Sequence, residues 1–319
     1  MAVKDRNRVL VLGGAGFIGS NIAETFVKAG YKVTVIDGIL GRTGASRRNL
    51  DRISRDINFI SSPIQNVKGL GKIITESDLI IDSMAWAFHR LALADPQYDL
   101  KLNAESHLHL IRHLEKNNKV IYIGSSGQYG NPHCHKIVEE TDMVPEDIQG
   151  IHKLAAESYY RVYARLKGFQ VLSLRFPNCF GEHQQVKGED IGLIGLFIRD
   201  LIQNKNTTVY GKTRRRFLVY VKDLAEVVLQ LSQKNWRGFE ALNLGGHSVL
   251  VEDLVKTLIS LLGEGAYTVK TLPYELKVID VGLSKFNDAK IHKWLGKIPR
   301  TNLPKALKAT IDYFKERLQ

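Results

Sequence analysis

Short, evenly spaced apolar blocks organise the first half of the chain. Residues 8–13 (RVLVLG) are unbroken after Arg8, the pattern of a parallel strand covered on both faces. Residues 20–29 follow, with Ile22, Ala23, Phe26 and Val27 on one side of a helix and Gly30 at its end. Residues 32–37 (KVTVID) predict a second strand, and further strands are expected at 57–60, 79–82, 120–124 and 171–176. Helical spacing lies between them, most clearly over 98–116 and 150–166. Strands alternating with helices predict βαβ units and a doubly wound parallel sheet, an α/β fold. After Pro177 the rhythm changes. Helices are expected at 191–203, 224–233, 251–262 and 303–317, with strands at RRFLVYV and at 241–244. The pattern divides the chain into a first domain over 1–177, to which later strands from about 217–247 return, and a smaller interleaved α/β lobe over 178–319. No Pro/Ser-rich linker or internal repeat separates them.

Composition changes this picture by exclusion. No stretch of about 18 apolar residues occurs, so no membrane-spanning helix is expected. The opening MAVKDRNRVLVLGG runs straight into the first strand, so no secretory leader is expected. Two cysteines, Cys134 and Cys179, supply no disulfide framework, and a cytoplasmic protein with free thiols is expected. The net charge of +12 raises nucleic acid, anionic membranes and phosphorylated small molecules as partners. The basic runs Arg47-Arg48 and Arg214-Arg215-Arg216 are short and lack interleaved aromatics, so neither nucleic acid nor a membrane surface is expected. His133-Cys134-His135 does not read as a metal site, because adjacent side chains diverge and no second ligand pair is present.

The chemistry begins at Gly13-Gly14-Ala15-Gly16-Phe17-Ile18-Gly19, between the first strand and the first helix. Glycines at 13, 16 and 19 allow a tight turn, close approach of backbone to a pyrophosphate, and close helix–strand packing. The phosphates would sit where the helix leaves its first N–H groups unpaired. Asp37 ends the next strand, and its carboxylate can accept hydrogen bonds from both hydroxyls of an adenosine ribose while repelling a 2′-phosphate. A Rossmann domain binding NAD is the reading. Arg42, Arg47 and Arg48 follow closely enough to hold a 2′-phosphate, which keeps NADP as the alternative.

The GxxGxxG spacing resembles the extended branch of the short-chain dehydrogenase/reductase superfamily, the nucleotide-sugar epimerases and dehydratases such as UDP-galactose 4-epimerase. Landmarks in order extend the resemblance over nearly the whole chain: Asp95-Pro96 leading to Asn103, YIGSSGQYG at 122–130, GIHKLAAE at 150–157, RFPNCFG at 175–181, RRF to VKD at 215–223, and Leu295-Gly296 near the end. It implies that Ser125 hydrogen-bonds the sugar oxygen being oxidised and that Lys153 binds the nicotinamide ribose. Phe17, Ile18, Ile64, Ala85, Asn103 and Pro177 fall with the glycines and Asp37 on the family's cofactor side. Asn178 and Arg215 fall on its substrate side, Arg215 gripping the diphosphate with a planar fork of donors. Lys277 matches, more loosely, a second diphosphate-binding arginine. A homodimer built from the helices at 98–116 and 150–166 is also implied.

The departures carry as much information. The family's catalytic tyrosine precedes the lysine by four residues, and that position here is Gln149. A carboxamide has no accessible pKa and cannot accept the proton that leaves with hydride transfer. Tyr129, His152 and His89 are candidate substitute bases by proximity in sequence. The alternatives are an altered reaction run by Ser125 with bound NAD, or nucleotide binding without redox chemistry. Pro63-Ile64 stands for an adenine-binding Asp-Ile, and Asp82-Ser83-Met84-Ala85 for HLAA. The dehydratases' Asp-Glu pair is Ser126-Gly127 here, which argues against the usual 4,6-dehydration. The expected activity is therefore NAD-dependent epimerisation of a nucleoside-diphosphate hexose, with a reductase or dehydratase variant, or a catalytically impaired binding protein, as the alternative.

Overall fold

The computed structural model describes residues 7–132, 134, 136–186, 188, 191–211, 213–274 and 285–318. In chain order the strands are β1 (Arg8–Leu12), β2 (Lys32–Asp37), β3 (Ile57–Ser61), β4 (Leu79–Asp82), β5 (Lys119–Ile123), β6 (Lys136–Ile137) and β7 (Gln170–Arg175). They continue with β8 (Asn178–Phe180), β9 (Thr207–Tyr210), β10 (Arg215–Tyr220), β11 (Phe239–Asn243), β12 (His247–Leu250), β13 (Tyr267–Lys270) and β14 (Lys285–Phe286). The α-helices are α1 (Phe17–Lys28), α2 (Leu70–Glu76), α3 (His89–Ala94), α4 (Pro96–Leu100), α5 (Ser106–Arg112) and α6 (Ile148–Lys167). In the second half come α7 (Leu193–Ile202), α8 (Val221–Ser232), α9 (Val251–Leu262), α10 (Ala289–Leu295) and α11 (Leu303–Leu318).

Seven strands form one parallel sheet in the order β11-β7-β5-β4-β1-β2-β3. Side chains of β1 alternate between its two faces. Val9 and Val11 enter a layer shared with Ile22 and Phe26 of α1 and Leu224 and Val228 of α8. Leu10 and Leu12 enter the opposite layer with Ile74 of α2, Leu110 of α5 and Tyr160 of α6. Both faces are thus covered, which is why β1 and β4 read as continuous apolar runs. Of the 217–247 span, β11 joins this sheet beside β7, whereas β10 pairs parallel with β8 and antiparallel with β12 in a three-stranded sheet. Phe180, Phe197, Leu254, Leu258 and Phe314 pack behind that small sheet as a second core.

Two helix boundaries matter for the site. The helix expected over 98–116 starts earlier, with Asp95 accepting the Tyr98 N–H at 3.1 Å and Pro96 in the first turn. It widens over Lys101–Glu105 into a π-turn that contains Asn103. α6 starts at Asp147, whose Oδ1 accepts the Gly150 N–H at 2.7 Å, and stops at Gly168, which adopts φ 80°. α2 and α3, of 7 and 6 residues, had no counterpart in the sequence reading, because two turns or fewer give little periodicity to detect. Among the described residues no helix is long and apolar enough to cross a membrane.

Candidate active site

The strand order of the main sheet reverses between β1 and β4, and loops leaving the carboxyl ends of those strands diverge there. A cavity of about 820 Å³ opens at this point and extends to β10 and the start of α7. Its floor is the loop from Gly13 to Gly19. Gly13 has φ +70°, and a Cβ there would lie 2.9 Å from the backbone of Ser83 and Met84. A Cβ on Gly19 would lie 2.3 Å from the Gly13 carbonyl oxygen, so the turn closes only with glycine. Gly16 gives α1 no side-chain cap, and Gly16, Phe17, Ile18 and Gly19 at the start of the helix line the cavity.

Asp37 lines the same cavity at the end of β2. Its Oδ2 accepts the Ala15 N–H at 2.9 Å and its Oδ1 the Ile39 N–H at 2.7 Å, which fix the carboxylate in place. Burial raises its pKa although these backbone bonds pull the other way. Arg42 is turned elsewhere: its guanidinium lies 5.2 Å from the Trp86 ring and 5.4 Å from the Tyr98 ring and pairs with Asp95 at 3.2 Å. Arg47 lies over Phe59. Phe17, Ile18, Ile64, Ala85 and Pro177 complete the wall on this side.

Ser125, Gln149 and Lys153 converge on the cavity from the loop after β5 and the first turns of α6. The Ser125 N–H donates to Gln128 Oε1 at 2.8 Å, and Gln128 Nε2 donates to Glu157 Oε2 at 2.7 Å, so a buried carboxylate on α6 positions the serine loop. Lys153 is buried, with Nζ donating to the Ile123 carbonyl at 2.7 Å. Burial lowers its pKa to about 8, against the opposing charges of Asp82, Glu157 and Asp99. Gln149 donates from Nε2 to the Trp86 carbonyl at 2.9 Å. Asn103, expected on the cofactor side, is fully buried and is not part of the cavity wall. Its amide accepts the Trp86 N–H at 2.8 Å and donates to the Trp86 carbonyl at 3.0 Å, so it fixes the loop after β4 from behind. Asn178 and Arg215 also line the cavity, Arg215 donating to Ser248 Oγ at 2.9 Å. Lys277, His133 and His135 lie outside the described residues.

The three candidate bases separate clearly. The Tyr129 hydroxyl is buried between Arg175 and Asn243, donating to Asn243 Oδ1 at 2.9 Å, and the ring is outside the cavity wall. His152 pairs through Nδ1 with the buried Asp99 at 2.6 Å and is also absent from the wall. His89 lines the cavity, and its Nδ1 pairs with Asp147. That pair joins residues 58 apart, and nothing in their spacing announces it. The sequence reading also missed Glu157 as the anchor of Arg175, Ser173 and Gln128, although the KLAAE string placed it one turn after Lys153.

The model of the NAD-dependent epimerase/dehydratase family matches residues 9–245. The chain belongs to that family. A relative from Methanocaldococcus jannaschii, a putative UDP-glucose 4-epimerase, is 30% identical over 317 residues, 96% of this chain and 98% of its own. UDP-glucuronic acid decarboxylase 1 of Xenopus tropicalis is 27% identical over 330 residues, 100% of this chain and 75% of that protein. Among solved structures, UDP-glucose 4-epimerase of Thermotoga maritima superposes with a TM-score of 0.86 at 27% identity, covering 98% of this chain and 100% of the other. As a member of the epimerase/dehydratase family the protein is an enzyme, and its cofactor is NAD. The residues fit that cofactor: the glycine turn has no room for side chains, the helix start is uncapped, and the carboxylate after β2 is pinned with the nearby Arg42 directed away.

Proposed function

We propose that this enzyme interconverts C4 epimers of a nucleoside-diphosphate hexose, and that Gln149 occupies the place of the family's catalytic tyrosine. The convergence of Ser125, Lys153 and Gln149 on one cavity that Asn178 and Arg215 also line carries the reading. Ser126-Gly127 after Ser125 provides no acid or base for dehydration. Gly13, Gly16, Gly19 and the start of α1 would hold the pyrophosphate of NAD, Asp37 its adenosine ribose and Lys153 its nicotinamide ribose. Bound NAD supplies a reversible hydride acceptor.

The remaining work falls to the chain. Arg215 holds the sugar-nucleotide diphosphate through paired N–H donors, and Asn178 orients the sugar. Ser125 Oγ donates to the oxygen on the reacting carbon and stabilises the negative charge that gathers there. The Lys153 ammonium, placed in a buried site, adds a positive potential at the same point. Gln149 holds the Trp86 carbonyl and moves no proton. The test is incubation of purified protein with UDP-, dTDP-, GDP- and CDP-hexoses. Interconversion of at least one pair without net change at 340 nm is expected, and none on any sugar overturns the proposal. A steady 340 nm change would identify a reductase instead.

The reading includes a homodimer in a reducing, cytoplasmic setting. Ile151, Val162 and Leu166 form one exposed apolar stripe along α6, with exposures of 47%, 42% and 74%. Cys134 and Cys179 are free thiols. Light scattering at the monomer mass would overturn the dimer.

A further inference from the structure

The epimerase reading leaves a proton without a destination. When a sugar hydroxyl becomes a carbonyl, the carbon gives up a hydride and the oxygen gives up a proton. Gln149 cannot take that proton, since its carboxamide titrates outside any working pH. Tyr129 is locked behind the serine loop against Arg175 and Asn243, and His152 is turned to Asp99. His89 alone of the three stands on the cavity wall. It begins α3 directly after the loop that carries Trp86, the backbone that Gln149 and Asn103 hold.

We propose that His89 is the catalytic acid–base of this enzyme and that Asp147 is its positioning residue, an inference that rests on the proposed epimerisation. Asp147 is buried, and its two oxygens are divided between two duties. Oδ1 accepts the Gly150 N–H and fixes the start of α6, and Oδ2 accepts from His89 Nδ1. Burial alone would raise the Asp147 pKa, yet the bond and charge of His89 and the Gly150 N–H hold it below the ordinary carboxylate value. An ionised carboxylate on Nδ1 keeps that nitrogen protonated, so Nε2 is the position at which the ring takes up and gives back a proton. As the C–O bond becomes C=O, the hydroxyl proton moves to Nε2, and a nicotinamide dinucleotide held by the glycine turn and Asp37 would take the hydride from the carbon. On the return step Nε2 gives the proton back to the oxygen while the same cofactor would return the hydride to the other face, so atoms and charge balance over the cycle.

The side chain of His89 is 47% exposed, so its truncation leaves the fold in place. His89→Ala in the NAD-loaded enzyme is expected to lower kcat by about 100-fold or more with KM nearly unchanged, and added imidazole should restore part of the loss. Asp147→Asn keeps an oxygen for the Gly150 N–H but presents an NH₂ to Nδ1. That inverts the ring tautomer and leaves a donor at Nε2, so a comparable fall in kcat is expected without rescue by imidazole. A reading independent of turnover is the ¹⁵N resonance of the His89 ring, which UDP-galactose should shift and UDP alone should not. An active wild type whose His89→Ala variant keeps its rate, or a ring signal indifferent to the sugar, overturns this assignment and leaves epimerisation standing. A wild type that interconverts no sugar overturns both.

Discussion

Replacing Glu157 by glutamine removes one charge and almost no volume, which makes it a stringent test of how the site is supported. Glu157 is 0% exposed and Arg175 is 1% exposed. The carboxylate accepts from Arg175 Nε at 3.0 Å and Nη2 at 2.5 Å, from Ser173 Oγ at 2.6 Å and from Gln128 Nε2 at 2.7 Å. A carboxamide would leave the guanidinium buried without its counter-charge and would turn one acceptor oxygen into a donor facing other donors. Breaking a buried pair in this way costs about 3–5 kcal/mol. With an unfolding entropy of roughly 2.1 cal/mol/K per residue over 319 residues, about 4 kcal/mol corresponds to a Tm lowered by about 6 °C. The pH dependence has a definite sign. Burial alone would raise the Glu157 pKa, but the hydrogen bond and charge of Arg175, with Ser173 and Gln128, hold it below 4.5. Its stabilisation is therefore complete above the unfolded carboxylate range and disappears as pH falls through the lowered folded value. Thermal and urea unfolding of wild type and Glu157→Gln at pH 7 and at steps down to about pH 3 should show a gap that narrows in acid. A Tm within about 1 °C of wild type at pH 7, or a gap that persists in acid, would refute the reasoning.

Other consequences are as direct. Gly19→Ala places a methyl 2.3 Å from the Gly13 carbonyl oxygen and 2.8 Å from Gly14 Cα, so the phosphate turn must open. NAD affinity measured by calorimetry should fall by about 100-fold, with unchanged affinity contradicting the assignment of the turn. Lys153, buried and depressed from 10.5 to about 8, lacks between those values a proton that the unfolded chain still binds. Wild-type stability relative to Lys153→Met should accordingly rise with pH through that window, and a difference in urea midpoint that stays flat between pH 8 and 10 would show the ammonium to be solvated. Gln149→Tyr should raise turnover and make His89→Ala tolerable in the double variant, since a phenol beside Lys153 offers a second route for the proton. A double variant no faster than His89→Ala alone would count against an otherwise intact site. Leu166→Glu, on the exposed stripe of α6, should shift light scattering from the dimer to the monomer mass without altering Tm by more than about 2 °C.

The parts legible in the sequence are those that depend on neighbours in the chain. The glycine turn, Asp37 at the end of its strand, and Ser125 and Lys153 after their own elements are local patterns, and the structure brings them to one cavity. Asn103 was legible as a residue but not as a contact. Its π-turn and the approach of Trp86 from another loop decide that it faces backbone instead of the cavity wall. Arg42 illustrates the same limit. Sequence placed it near the ribose, whereas the Trp86 and Tyr98 rings, brought from a different loop and helix, draw it away. The depressed Lys153 pKa follows from burial, and the His89–Asp147 pair from two segments that meet only in the folded protein.

The place of β11 at the edge of the main sheet bears on how the chain is made. β7 is complete at Arg175, yet its outer neighbour comes from Phe239–Asn243 and arrives only after β8, α7, β9, β10 and α8 have been made. While the ribosome is still delivering that stretch, β7 offers a row of open amide and carbonyl groups to any passing strand. Synthesis halted between these two strands would thus release a species prone to edge-to-edge association, and the arrival of β11 is what closes that edge.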